Sequence, residues 1–225
     1  MNKRNHFLRI TNFIGLLFCV SFINAQNIDI NILRDINVNR NTSLDPTFKG
    51  ITNSALPISV ATPLIIYSVG LIKKDSTIKN QALFIGETFL VSAFITTALK
   101  YSIQRDRPFN TYPDIERGTS GPGFSFPSGH TSVAFATATS LSMEYPKWYI
   151  IAPSFVWASA VGYSRMHLGV HYPSDVVAGA IVGSGSAYLS YKVNKWMNRK
   201  RIGNHKYLPV TLPNDLTTNI YSEKK

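Results

Sequence analysis

The sequence predicts an all-α fold, a helical bundle with five or six membrane-embedded helices. Three observations carry that expectation. Apolar stretches recur near residues 51–72, 82–99, 131–143, 148–163 and 176–191, each of helical length and rich in Ala, Leu, Ile and Gly. The first holds about the twenty uncharged residues that a bilayer crossing asks for. Lysines and arginines cluster after the first stretch (Lys73, Lys74, Lys79) and after the last (Lys192, Lys195, Arg199, Lys200, Arg201), so one orientation puts both clusters on a cytoplasmic side. The remaining stretches are shorter or interrupted by Glu87, Ser184 and Ser186. A mean hydropathy near zero also suits a soluble helical bundle.

The elements follow in order. At 225 residues the chain is long enough for one domain with a full core. Residues 1–25 carry Lys3, Arg4 and Arg9, then an apolar run from Phe13 to Phe22, then Ala25, the pattern of an export signal or of a first membrane helix. The single cysteine, Cys19, follows bulky Phe18, which argues against lipid attachment, and it leaves no internal disulfide or cysteine-bound metal elsewhere. Residues 26–50 read as an exported polar arm with Asp29, Arg34, Asp35, Arg40, Asp45 and Lys49, and no chemistry is assigned to it. The functional domain spans 51–203. A mostly polar tail, 204–225, includes the extended-looking run from Val210 to Pro213.

A formal net charge of +11 is compatible with nucleic acid, an anionic membrane surface or phosphorylated substrates, and composition does not choose among them. Position is more informative. Lys100, Arg105, Arg107 and Arg117 fall on the outer side in the orientation above, against the positive-inside trend. Lys100 and Arg107-Pro108 close the second apolar stretch, Pro127-Ser128-Gly129-His130 opens the third, and Ser164-Arg165 with His171 and Asp175 separates the fourth from the fifth. All three groups meet at one face. Clustered cations and imidazoles repel and are costly to bury in a structural core; around a dianion they are attracted.

Lys100, six residues, Arg107-Pro108; then Pro127-Ser128-Gly129-His130; then Ser164-Arg165, five residues, His171, three residues and Asp175: this resembles the three-part signature of the type 2 phosphatidic acid phosphatase superfamily. That family also contains bacterial soluble acid phosphatases and vanadium haloperoxidases. The resemblance covers about residues 51–195, with every signature position occupied. It implies that His171 attacks phosphorus to form a phosphohistidine and that His130 protonates the leaving oxygen. Lys100, Arg107 and Arg165 would neutralise the phosphate. Backbone N–H groups at Ser128, Gly129 and His130 would add donors at a helix start. Asp175, four residues beyond His171, would hold its Nδ1–H if a helix has begun there.

Expected partners are a phosphorylated lipid and a membrane, with no nucleic acid, cofactor, metal or protein partner inferred. The site would face the periplasm or exterior of a bacterial-type cell membrane. Candidate substrates by family analogy are undecaprenyl diphosphate, phosphatidic acid, phosphatidylglycerophosphate and lipid A. A soluble periplasmic acid phosphatase is the first rival, and a vanadium haloperoxidase or a non-enzymatic lipid-binding protein the others. Locally, Arg105 is expected to pair with Asp106 at the surface. His167, spaced i, i+4 from His171 as two zinc ligands could be, reads instead as a rim or packing residue. Glu87 shows no partner. Trp148, Tyr149 and Trp196 fit a membrane interface or a core.

Overall fold

The computed structural model describes residues 27–202; the expected export segment, Cys19 and the tail from Asn204 lie outside the described residues. Helix α1 covers residues 27–37. A 3-10 turn at Thr42–Leu44 leads into α2, Asp45–Asn53, and α3, Ala55–Ile72. Helix α4 is Ser76–Ile103, α5 the single turn Pro108–Thr111, α6 Gly129–Glu144, α7 Trp148–His167 and α8 Pro173–Ile202. The all-α expectation holds for the described residues.

Local chemistry sets the ends that matter. The Asp75 carboxylate accepts from the N–H groups of Thr77 at 2.7 Å and Ile78 at 3.3 Å, which caps α4. At the other end Gln104 takes the left-handed conformation (φ 52) and closes the helix. So α4 outruns the apolar stretch at both ends, and its last turn carries Lys100. Between α7 and α8, Gly169 sits at φ 67, where a Cβ would collide with the Glu116 carbonyl oxygen. A glycine is what allows the chain to turn there and deliver His171.

Helix α6 is the centre of the bundle, packed by α3, α4, α7 and α8. Its buried residues, Thr131, Ser132, Val133, Ala134, Ala136, Thr137, Ala138 and Ser140, are small. Small side chains let helix backbones approach where lipid removes the usual hydrophobic drive. Gly179 and Gly183 on α8 complete this contact, since a Cβ at Gly179 would stand 2.7 Å from the Ser128 carbonyl oxygen and one at Gly183 would run into that of Ser132. Side-chain hydrogen bonds tie α6 to α8, α3 and α4: Thr139 to Ser184 at 3.1 Å, Ser59 to the Val133 carbonyl at 3.3 Å and Gln81 to the Glu144 carbonyl at 3.5 Å; such bonds contribute about 0.6 kcal/mol each.

The outer surface is apolar. Leu64 and Ile65 on α3, Leu90 and Phe94 on α4, Val156 on α7 and Ile181 on α8 are all exposed, and apolar side chains exposed together on several helices mark a membrane or protein contact. The runs Thr42–Ile72 and Ser76–Thr111 are long and apolar enough to cross a membrane by length and composition. The second was not expected to qualify. It does because its apolar centre carries the single charge of Glu87 without losing its apolar character, and that carboxylate is hydrogen-bonded by Asn194 of α8 at 2.8 Å. Trp148, Tyr149 and Trp196 are exposed and take no part in the core.

Candidate active site

The end of α4, the start of α6 and the α7–α8 turn converge at one end of the bundle. Helix packing brings Lys100 against the start of α6, where a Cβ at Gly129 would lie 3.9 Å from Lys100 Cε. The segment between α5 and α6 wraps this end and turns its carbonyl oxygens inward. Lys100 Nζ donates to Phe124 O at 2.7 Å and Ser125 O at 3.3 Å. Arg107 donates from Nε to Gly123 O and from Nη2 to Pro122 O, both at 2.9 Å, and from Nη1 to Val170 O at 2.8 Å. These neutral carbonyls satisfy the buried cations without cancelling their charge.

His171 lies in the turn between α7 and α8 and is 1% exposed. Its Nε2 faces Arg107 Nη1 at 3.3 Å. Its Nδ1 faces Asp175 Oδ2 at 3.4 Å and Ser125 Oγ at the same distance. A guanidinium only donates, so the tautomer that satisfies both sides carries its proton on Nδ1 and a lone pair on Nε2. Burial pushes the ring pKa down to about 3; the Asp175 carboxylate opposes this, and Arg107 and Arg165 add to it. The imidazole is therefore neutral at pH 7, with its basic nitrogen turned toward the cations.

Asp175 stands in the first turn of α8, fully buried. Its Oδ2 accepts from Tyr172 N at 3.0 Å and from the Ser125 hydroxyl at 2.5 Å, and its Oδ1 from Arg105 Nη1 at 2.8 Å. Arg165, 2% exposed, donates from Nη1 to Thr52 Oγ1 of α2 at 2.8 Å, while its buried Nε has no partner.

At the start of α6 the first intrahelical bond runs from Ser132 N to Ser128 O, which leaves the N–H groups of Gly129, His130 and Thr131 ahead of it. Ser128 departs from the expectation. Its N–H donates to the Asp175 carbonyl at 3.0 Å and its hydroxyl pairs with Thr131 at 2.8 Å, so it ties α6 to α8 and its backbone donor is engaged. His130 is half-buried, within the field of Lys100, Arg107 and Arg165. N–H groups at a helix start, two guanidinium groups, an ammonium and a neutral imidazole together suit a tetrahedral oxyanion.

One further expectation is corrected, and the reading of His167 as a packing residue holds. Arg105 does not pair with Asp106; it bridges Asp175 and, at 2.7 Å, Asp29 of α1. His167 ends α7 and shares no helix with His171. Its Nε2 meets Asp45 at 3.0 Å and its ring packs on Phe48 with centroids 4.1 Å apart. Among the described residues no group of three or more His, Cys, Asp or Glu side chains is placed to hold a metal. Sequence reasoning missed Asp29, Arg105, Thr52 and Ser125. Their partners lie about 50 or more positions away, beyond the reach of any local spacing.

Fold and site together define a helical bundle with an anion cradle beside a histidine–aspartate pair. The profile of the PAP2 superfamily matches residues 81–199, more than half of the chain, and the chain belongs to that superfamily. It is 35% identical over 123 residues to an undecaprenyl-diphosphatase of Sulfolobus acidocaldarius, covering 52% of this chain and 59% of that one. It is 40% identical over 77 residues to a lipid A 4'-phosphatase of Bacteroides thetaiotaomicron, covering 34% of each. These matches therefore span about a third to three fifths of the relatives' length. Among solved structures, LpxE of Aquifex aeolicus superposes with a TM-score of 0.61 at 29% identity, covering 73% of this chain and 95% of that one. A transmembrane PAP2-type phosphatidylglycerolphosphate phosphatase from Bacillus subtilis gives 0.63 at 25% identity, covering 84% and 97%.

Proposed function

We propose that this protein is a membrane-embedded phosphatase that removes a phosphate, or cleaves a diphosphate, from a lipid through a phosphohistidine on His171. The observation that carries the reading is the neutral His171 ring with Nε2 turned toward Arg107 and Nδ1 toward Asp175. Nε2 attacks phosphorus and the P–O bond to the lipid breaks. His130, which takes up a proton once a bound phosphate dianion offsets the field of Lys100, Arg107 and Arg165, gives that proton to the departing oxygen. Water then attacks the phosphohistidine, His130 takes a proton from it, and the P–N bond breaks to release phosphate and return the lone pair to Nε2. Lys100, Arg107, Arg165 and the N–H groups of Gly129 and His130 neutralise the charge that develops on the phosphoryl oxygens.

The exposed apolar faces of α3, α4, α7 and α8 favour a lipid over a soluble ester, because they bring the site's rim to where a lipid headgroup lies. The relatives named as acting on undecaprenyl diphosphate and lipid A support the same substrate class. In this reading the site faces the outer side, and the lysines after α3 and α8 face the cytoplasm. The test is phosphate release by detergent-purified protein, with EDTA present, from a panel of lipid phosphates and diphosphates and from p-nitrophenyl phosphate, beside His171→Ala. Lipid turnover that the variant lacks is the expected result. Turnover of the soluble ester alone, or equal turnover by the variant, overturns the reading.

A further inference from the structure

We infer that Asp29, on the N-terminal helix α1, is a positioning residue for the His171–Asp175 pair, acting through Arg105 and Ser174; the inference rests on the assignment of His171 as nucleophile. Helix α1 is fastened to this end of the bundle. Ile30 and Leu33 pack with Ile115 and Tyr172. Asn37, fully buried, accepts from Glu116 N at 2.9 Å and donates to Glu116 O at 3.1 Å and His167 O at 2.9 Å. That clamp joins α1 to the wrapping segment and to the end of α7, and it fixes where Asp29 stands.

Asp29 is 6% exposed. One carboxylate oxygen accepts from Ser174 N at 2.8 Å, and the other from the Ser174 hydroxyl and from Arg105 Nη2 at 2.7 Å. It thus caps the N-terminus of α8 from a different helix, next to Asp175. Arg105 Nη1 donates to Ser174 Oγ at 2.7 Å and Asp175 Oδ1 at 2.8 Å, and its guanidinium lies 3.7 Å over the Tyr172 ring. Two carboxylates and an aromatic face hold the planar fork in one orientation.

The consequence falls on Asp175. With Oδ1 tied to Arg105, its Oδ2 is left to Tyr172 N, Ser125 and His171 Nδ1. The charge of Arg105, unshared, would draw electron density from the carboxylate that steadies Nδ1–H; the second carboxylate, Asp29, offsets it. Asn at position 29 retains the shape but must turn its amide donor toward either Arg105 or Ser174, and either choice breaks one link of the relay.

The test uses the full chain in detergent, with phosphatidic acid micelles and p-nitrophenyl phosphate as probes. Asp29→Asn is expected to lower kcat roughly tenfold while KM stays within about twofold, with Asp29→Glu recovering part of the loss. In an Arg105→Gln background Asp29→Asn should add little, because the relay is already cut. An unchanged kcat, or the same loss in both backgrounds, overturns the proposal. Ring-nitrogen NMR of 15N-histidine protein, with His171 assigned by His171→Gln, provides a readout independent of turnover: Asp29→Asn should shift the His171 signals, and unchanged signals overturn the proposal. Should the wild type release no more phosphate than His171→Ala, the phosphatase reading fails and the NMR comparison alone decides. Should Asp29→Asn fail to fold, Asp29→Glu and Arg105→Lys carry the same comparison.

Discussion

Arg107 Nη1 lies 3.3 Å from His171 Nε2, and because a guanidinium has no lone pair, the ring nitrogen facing it has no proton. Arg107 also spans four carbonyls, at Pro122, Gly123, Phe124 and Val170. A lysine at 107 has three donors on one nitrogen and cannot reach all of these and the ring. Arg107→Lys should lower kcat by about 10² to 10³, the usual cost of removing one preorganised donor from a developing oxyanion. Steady-state phosphate release checks this; a rise in KM with kcat intact would place Arg107 in ground-state binding only.

Asp175→Asn should be more damaging than its size suggests. The carboxylate accepts from Arg105, Tyr172 N and Ser125 as well as facing His171. An amide has only one acceptor oxygen, so its NH₂ must meet a donor on one side or the other. Where it meets Nδ1, the ring tautomer reverses and Nε2 loses its lone pair. The expected loss in kcat is about 10² to 10⁴, with about 1–3 kcal/mol of stability lost to the mismatched donor. Kinetics and thermal unfolding on one preparation measure both, and a kcat within a few fold of wild type would show that Asp175 does not set the tautomer.

The site was legible in the sequence as far as its residues come in short ordered motifs. Lys100, Arg107, His130, Arg165, His171 and Asp175 converge because α4 ends, α6 begins and the α7–α8 turn falls at one end of the bundle, which alternating apolar stretches already imply. The helix of α4 was readable only in its apolar centre, since its extension rests on the Asp75 cap and on Gln104 in the left-handed region. Residues 26–50 read as a polar arm because α1 buries only a narrow stripe, Asp29, Ile30, Leu33 and Asn37. Asp29 meets Arg105 at a separation of 76 positions and Arg165 meets Thr52 at 113. Neither pairing has a local signature, and both depend on where the packed helices end.

The depressed pKa of His171 fixes the sign of a pH effect. In the unfolded chain the ring titrates near its ordinary 6.5, and in the folded protein near 3. Between those values the unfolded state binds a proton that the folded state refuses. The stability gained by burying the neutral ring is complete above about pH 6.5 and declines as pH falls toward 3, by up to about 1.4 kcal/mol per pH unit. Denaturation of the detergent-solubilised protein from pH 6.5 to 4 should show this slope, and His171→Gln should flatten it. Parallel curves for the two proteins would mean that the buried ring is not what the acid attacks.

Stability and chemistry are coupled at Gly183. A Cβ there would run into the Ser132 carbonyl oxygen and stand 2.8 Å from Ala136 N, so the obstacle is helix backbone and cannot rotate away. Gly183→Val must push α8 off α6, at a cost of about 1–3 kcal/mol for overpacking a tight interface. Helix α8 also carries Asp175 at its first turn, so a displaced helix moves the carboxylate away from His171 as well. Gly185, where a Cβ would meet nothing within 4 Å, is the control: Gly185→Val should leave both unfolding temperature and kcat near wild type. If Gly183→Val melts at the wild-type temperature, α6 and α8 are not held by this close approach, and the small-residue packing assigned to the centre of the bundle is wrong.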